Sequence, residues 1–153
     1  MFKHGKTNKI YYSVREKIRY YTGILDGKIA ATDQLKKKAK RRLPQLKRID
    51  KQSYAEPKVV ITDDSIFGNT ISKPRVCIVI KEDAKHQLFV APVYKTTSKQ
   101  VIFDNDITRQ ISKTSEGRNK WISKDQVYEE KYIEPRLMLT TRDKSKIKRL
   151  YDK

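Results

Sequence analysis

The run Val76-Cys77-Ile78-Val79-Ile80 and the run Leu88-Phe89-Val90 beyond it are short, apolar and rich in β-branched side chains, and the turn-formers Glu82-Asp83-Ala84 stand between them. This texture predicts two strands with His86 in the hairpin turn that joins them. The pattern extends outward in both directions. Val59-Val60-Ile61 precedes the pair, and Val101-Ile102-Phe103, Val127-Tyr128 and Leu137-Met138-Leu139 follow it. Asp63-Asp64-Ser65, Gly68-Asn69 and the polar stretch from Ser112 to Asn119 supply further turns. Many short strands without intervening helices predict a small barrel or curled antiparallel sheet, not a doubly wound parallel one. From Thr141 to Asp152 the spacing of Ile147, Leu150 and Tyr151 predicts a short C-terminal helix, completing a unit over residues 53–153.

The first third of the chain reads differently. Ile10, Val14, Ile18 and Tyr21 recur at helical spacing, which predicts a helix over about residues 10 to 22 that Gly23 and Gly27 terminate. Thr32 occupies an N-cap position, and Leu35, Ala39, Leu43, Leu46 and Ile49 mark one side of a second helix. Pro44 falls inside that pattern and is expected to kink or split it. Residues 1–52 thus form a helical arm. The fold class expected for the whole chain is α+β, a basic helical hairpin followed by a small antiparallel β unit with a terminal helix.

Charge decides which partners are plausible. Thirty-six Lys and Arg stand against eighteen Asp and Glu, a net +18 on 153 residues. Such an excess opposes compaction by self-repulsion and is relieved by a polyanion, whose counterions are released on binding. Sixteen of the cations fall in residues 1–51 beside only four acids. Lys36, Lys37, Lys38, Lys40, Arg41 and Arg42 surround more than half of the second helix and are the natural phosphate contacts. Nucleic acid is the expected partner, with RNA favoured over DNA. No apolar segment is long enough to cross a bilayer and the first residues lack a secretory core, so a cytoplasmic location without membrane contact is expected.

Catalytic chemistry is sparsely supplied. Cys77 is the single cysteine and reads as a buried hydrophobe, so neither a disulfide nor a zinc site follows from it. The two histidines, His4 in a tail and His86 in a turn, make a poor acid–base pair. Asp63-Asp64 and Asp104-Asn105-Asp106 read as turn-formers before they read as ligands, so neither metal nor other cofactor is expected. Cations and hydroxyls remain at strand ends, in Lys73-Pro74-Arg75 and Lys95-Thr96-Thr97-Ser98-Lys99. RNA carries its own nucleophile in the 2'-hydroxyl. A protein that orients it and stabilises the phosphoryl oxygens needs little more than Arg75 as a paired donor and Thr96 or Thr97 as a neutral one. The same residues also read as a phosphate anchor or ion-pair partner and a turn. Tyr94 and Trp121, with Tyr11, Tyr12, Tyr20 and Tyr21, are either stacking surfaces for unpaired bases or ordinary core and interface aromatics. Lys73, Lys95 and Lys99 join the candidate contacts.

The order of segments resembles the MazF and PemK (Kid) endoribonuclease toxins over roughly residues 57 to 151. Phe67-Gly68-Asn69-Thr70-Ile71-Ser72-Lys73-Pro74-Arg75-Val76-Cys77-Ile78-Val79-Ile80 is similar to that family's loop, Arg/Pro motif and strand. Val90-Ala91-Pro92-Val93 followed by Thr96-Thr97-Ser98, then Lys124-Asp125-Gln126-Val127-Tyr128, and finally Asp143 to Leu150 match later segments. The resemblance implies a small SH3-like barrel and a metal-independent endoribonuclease acting on single-stranded RNA. Arg75 would act at the phosphorus, with Thr96 or Thr97 assisting. It also implies an antitoxin partner and a homodimer. Two other readings compete: a non-catalytic nucleic-acid-binding protein of a phage or plasmid, and a structural or regulatory protein whose positive face meets an acidic protein.

Overall fold

The computed structural model describes residues 1–95, 101–102, 104–105, 109–111, 118–128 and 137–151. The fold is α+β, with helices α1 (Val14–Leu25), α2 (Asp33–Asp50) and α3 (Thr141–Tyr151) and antiparallel strands. A two-stranded ribbon pairs β1 (Phe2–Lys3) with β2 (Ile10–Tyr11). The main sheet holds β3 (Lys58–Asp63), β4 (Pro74–Glu82), β5 (Leu88–Lys95), β6 (Val101–Ile102), β7 (Arg109–Ile111) and β8 (Lys120–Ile122). Its order is β3-β4-β5-β7-β6, and β8 also lies on β5, so the first half of β5 pairs with β8 and the second half with β7.

The central strands are apolar on successive residues because both of their faces are covered. Val60, Cys77, Val79, Leu88 and Val90 join Tyr54, Phe67, Ile122 and Val127 in one cluster. Val59, Ile78, Ala91 and Val93 join Ile111, Leu137 and Ile147 in another, where α3 packs. The alternation between clusters follows the period of two along a strand. The ladder among the described residues is open and forms no closed barrel. At its other edge a single contact adds to β3, where the Tyr128 N–H donates to the Ile61 carbonyl at 3.0 Å. The expected strand at Val127-Tyr128 is therefore one bridge, and Leu137-Met138-Leu139 is not a strand. Leu137 is buried there as an irregular segment packed against Ile147.

The helical hairpin carries its own core of Val14, Tyr21, Ile24, Ala39, Leu43 and Leu46. α1 starts at Val14, later than the apolar spacing suggests, because Ser13 and Glu16 form a reciprocal capping box. Ile10 is paired in β2 instead of opening a helix. Gly23 lies inside α1, close to Ile29, and the chain turns at Gly27 with a left-handed φ of 76°. α2 begins with the Thr32 hydroxyl accepting from the Leu35 N–H, and it runs unbroken through Pro44. The ring of Pro44 is exposed while Leu43 and Leu46 on either side are buried, so packing against α1 carries the helix past it. His4 belongs to the turn of the β1–β2 ribbon and is no loose tail, since its Nδ1 accepts from the Lys6 and Thr7 N–H groups.

Polar contacts fasten the hairpin to the sheet. The Val14 N–H donates to the Val127 carbonyl at 2.9 Å. Arg15, which pairs with Asp50 of α2 at 2.9 Å within the hairpin, also reaches Asp125 at 3.6 Å, and Arg19 reaches Asp125 at 3.4 Å. The ammonium of Lys124, 8% exposed, reaches the carbonyls of Asp50 and Gln52 and the carboxylate of Glu82, all within 3.3 Å. The N-terminal ribbon crosses the expected boundary near residue 52, as Phe2 packs with Tyr11, Ile61 and Tyr128.

Candidate nucleic-acid interface

Heptad-like spacing of its apolar residues turns one side of α2 toward α1 and leaves the cations outside. Lys36, Lys37, Lys38, Lys40 and Arg41 are exposed, and none has a carboxylate partner among the described residues. Arg42 is half-buried and donates to Gln45 Oε1 at 2.6 Å. The helix bears two acids, Asp33 at its start and Asp50, which Arg15 holds. Thr32, Gln34, Leu35, Lys37, Lys38 and Arg41 line a groove along its first turns. Adjacent like charges on a helix repel, so this face gains electrostatically from any polyanion laid along it.

A second group gathers on β4 and β5. Arg75 lies opposite Thr62 in the register of β4 on β3, which brings it beside the turn of 3₁₀ helix at Asp64–Phe67. One terminal nitrogen of its guanidinium donates to the Val93 carbonyl at 2.8 Å, and the other sits 3.5 Å from the Asp64 carboxylate. Lys73 stands 3.9 Å from the same carboxylate, and the guanidinium lies 5.1 Å from the Tyr94 ring centroid. Asp64 is buried and Arg75 largely so. Both outer nitrogens of Arg75 thus face groups of the protein itself. Lys73 and Arg75 are brought together around Asp64, a partner that the sequence suggested only as a turn-former, and Tyr94 lies against Arg75.

The remaining sites divide. Thr96, Thr97 and Lys99 lie outside the described residues. Lys95 pairs with Arg109 in the ladder of β5 and β7. Trp121 is 47% exposed on β8 and pairs with Phe89, five residues before Tyr94 on β5 and hence roughly 17 Å away along the strand. Two residues that sequence reasoning passed over, Phe89 and Lys81, lie beside it. The period-two pattern in Leu88-Phe89-Val90 was the available signal, since buried Leu88 and Val90 leave Phe89 on the other face.

Nucleophile and metal chemistry find little support among the described residues. Burial pushes the Cys77 thiol far above its usual range, with Arg75 opposing, so no thiolate forms there. Asp63 accepts from the Ser65 N–H and the Ser72 hydroxyl, whereas Asp64 turns toward Arg75. Asp104 accepts from the Thr140 hydroxyl and faces Lys146 at 3.5 Å, and Asp106 lies outside the described residues. The Thr140 hydrogen bond, against a small opposing cost of burial and with help from Lys146, holds the Asp104 carboxyl below its ordinary range. No group of three or more His, Cys, Asp or Glu residues able to hold a metal occurs among the described residues. No described helix is long and apolar enough to cross a membrane. Compared with protein-family models, curated proteins and solved structures, the chain gives no match.

Proposed function

We propose that this chain binds RNA, and that the outer face of α2 is its principal phosphate contact. The observation that carries this reading is the set of exposed cations Lys36, Lys37, Lys38, Lys40 and Arg41 without a carboxylate partner among the described residues. A solvated surface needs no such concentration of one sign, and each cation laid against a phosphate releases counterions. Lys73 and Tyr94 extend the contact surface on the sheet.

A second reading adds cleavage. The guanidinium of Arg75 lies 5.1 Å from the Tyr94 ring centroid near the end of β5, and Lys95, Thr96 and Thr97 are the next residues in the sequence. Support for a small SH3-like barrel comes from the segment 120–128. It starts on β5, turns through a 3₁₀ helix at Lys124–Gln126, and sets Tyr128 against Ile61 on the free edge of β3. In that reading the protein is a MazF/PemK-like, metal-independent endoribonuclease of the cytoplasm that cuts single-stranded RNA, with an antitoxin and a second copy of itself as partners.

The test is a salt titration of labelled single-stranded RNA binding, run beside a variant with Lys36, Lys37, Lys38, Lys40, Arg41 and Arg42 all changed to Gln. Every phosphate that the variant leaves unneutralised should flatten the log–log salt slope by about 0.7, so the variant should show a slope shallower by several such steps. An unchanged slope would remove α2 from the interface. The same RNA, incubated with protein in EDTA and analysed for 2',3'-cyclic phosphate ends, separates the readings: new ends establish cleavage, and intact RNA leaves a binder.

A further inference from the structure

Three strands bring Lys81, Phe89 and Trp121 into one row. Lys81 is opposite Phe89 in the pairing of β4 with β5, and Phe89 is opposite Trp121 in the pairing of β5 with β8. Directly opposed residues of adjacent strands project from the same face. The Phe89 and Trp121 rings lie 5.1 Å apart at 45°, and the Lys81 ammonium is 5.5 Å from the first ring centroid and 5.8 Å from the second. Trp121 is nevertheless 47% exposed.

A cross-strand aromatic pair stabilises a sheet through the faces that touch. That role asks nothing of the half of the indole left in water, and tryptophan is ordinarily among the more buried residues. On that same face the ammonium of Lys81, an exposed residue, stands beside the open ring, whereas Lys120 is registered opposite Val90 and belongs to the other face. Glu82, the residue after Lys81, is registered opposite buried Leu88 on the other face, where Lys124 meets its carboxylate at 3.2 Å. An open π-face with a cation beside it matches a nucleobase whose own phosphates are close by. A duplex cannot offer that base, because its faces are already stacked.

We propose that Lys81, Phe89 and Trp121 form a stacking platform for an unpaired base, which makes single-stranded RNA the ligand. This rests on the RNA-binding reading above and names the form of RNA that the site accepts. One base lies on the open face of Trp121, Phe89 backs the indole from the neighbouring strand, and Lys81 meets the phosphate of the stacked nucleotide.

Trp121 is the chain's one tryptophan, so its emission reports on this site alone. The full chain is titrated with a twelve-nucleotide oligoadenylate, with an abasic oligoribonucleotide of equal phosphate number, and with a duplex of equal length. Anisotropy of a label on each RNA reads binding, and Trp121 emission reads stacking. Oligoadenylate should quench the emission strongly at saturation, whereas the abasic strand and the duplex should bind and leave it nearly unchanged. Trp121→Leu should weaken oligoadenylate binding about tenfold and abasic binding less than about twofold, as expected for loss of one base–aromatic stack. Oligoadenylate that binds without quenching, or equal quenching by all three, would overturn the platform. So would emission that shifts with protein concentration in the absence of RNA, since that outcome assigns the row to contact between copies. No binding in anisotropy by any of the three would overturn the RNA-binding reading itself, and the platform with it.

Discussion

At Arg75 a single side chain is asked to do two things, and the geometry ranks them. Its terminal nitrogens serve Val93 and Asp64, and Asp64 is 3% exposed at its side chain. Removing one member of a buried pair leaves the other charge without compensation, which costs more than the pair itself contributes. Arg75→Ala should therefore lower unfolding free energy by about 3–5 kcal/mol, measured by urea denaturation. The double variant Asp64→Leu with Arg75→Met should recover most of that loss. A wild-type midpoint for Arg75→Ala would mean that the pair is solvated in solution and that Arg75 is held for a ligand. A fall in RNA cleavage on Arg75→Ala is thus interpretable only beside its stability, and Arg75→Lys, which keeps a cation near Asp64, is the better partner for a cleavage assay. Nothing in the local sequence announces the Asp64 contact. It arises because the register sets Thr62 across from Arg75, which is a property of two strands and not of either segment.

Among the elements, α2 shows how far periodicity reaches. Thr32 as cap and Leu35, Ala39, Leu43 and Leu46 as the packed side were all legible, because a cap and a 3.6-residue repeat are local signals. Pro44 is where the local rule yields: the helix loses one donor to the Lys40 carbonyl, yet burial of Leu43 and Leu46 on α1 outweighs the penalty. Pro44→Ala should accordingly stabilise the protein by about 1–3 kcal/mol, read as a raised denaturation midpoint, since residue 44 is exposed and its ring packs on nothing in the core. An unchanged midpoint would show that the helix frays at that turn in solution. The short strands β7 and β8 were not legible for the opposite reason. Arg109-Gln110-Ile111 and Lys120-Trp121-Ile122 contribute one buried apolar residue apiece, Ile111 and Ile122, and owe their extended form to the ladder offered by β5. Likewise the α2 cations stood out by composition alone, whereas the row from Lys81 to Trp121 exists only once three strands are aligned.

For the molecule as a whole, two electrostatic effects oppose each other. A net +18 repels itself, and the ion pairs of Arg15 and Arg19 with Asp125 hold the hairpin against the β unit. Salt screens both, but exposed pairs of this kind contribute at most about 1 kcal/mol each, and the chain holds twice as many Lys and Arg as Asp and Glu. The melting temperature should therefore rise by several degrees, about 3–6 °C, as sodium chloride increases from low to about 0.5 M, where the screening length falls to a few ångströms. A fall over that range, followed by calorimetry, would mean that the hairpin's docking pairs dominate.

The attachment made by Lys124 also has a mechanical consequence. α2 is about 27 Å long, and its far end ties to the sheet where one ammonium holds the carbonyls of Asp50 and Gln52 together with Glu82 of β4. A load applied along the cationic flank of that rod would pass through this clamp into the central strands, sparing the connecting chain at residues 53–57, so that the hairpin behaves as a cantilever fixed at its root.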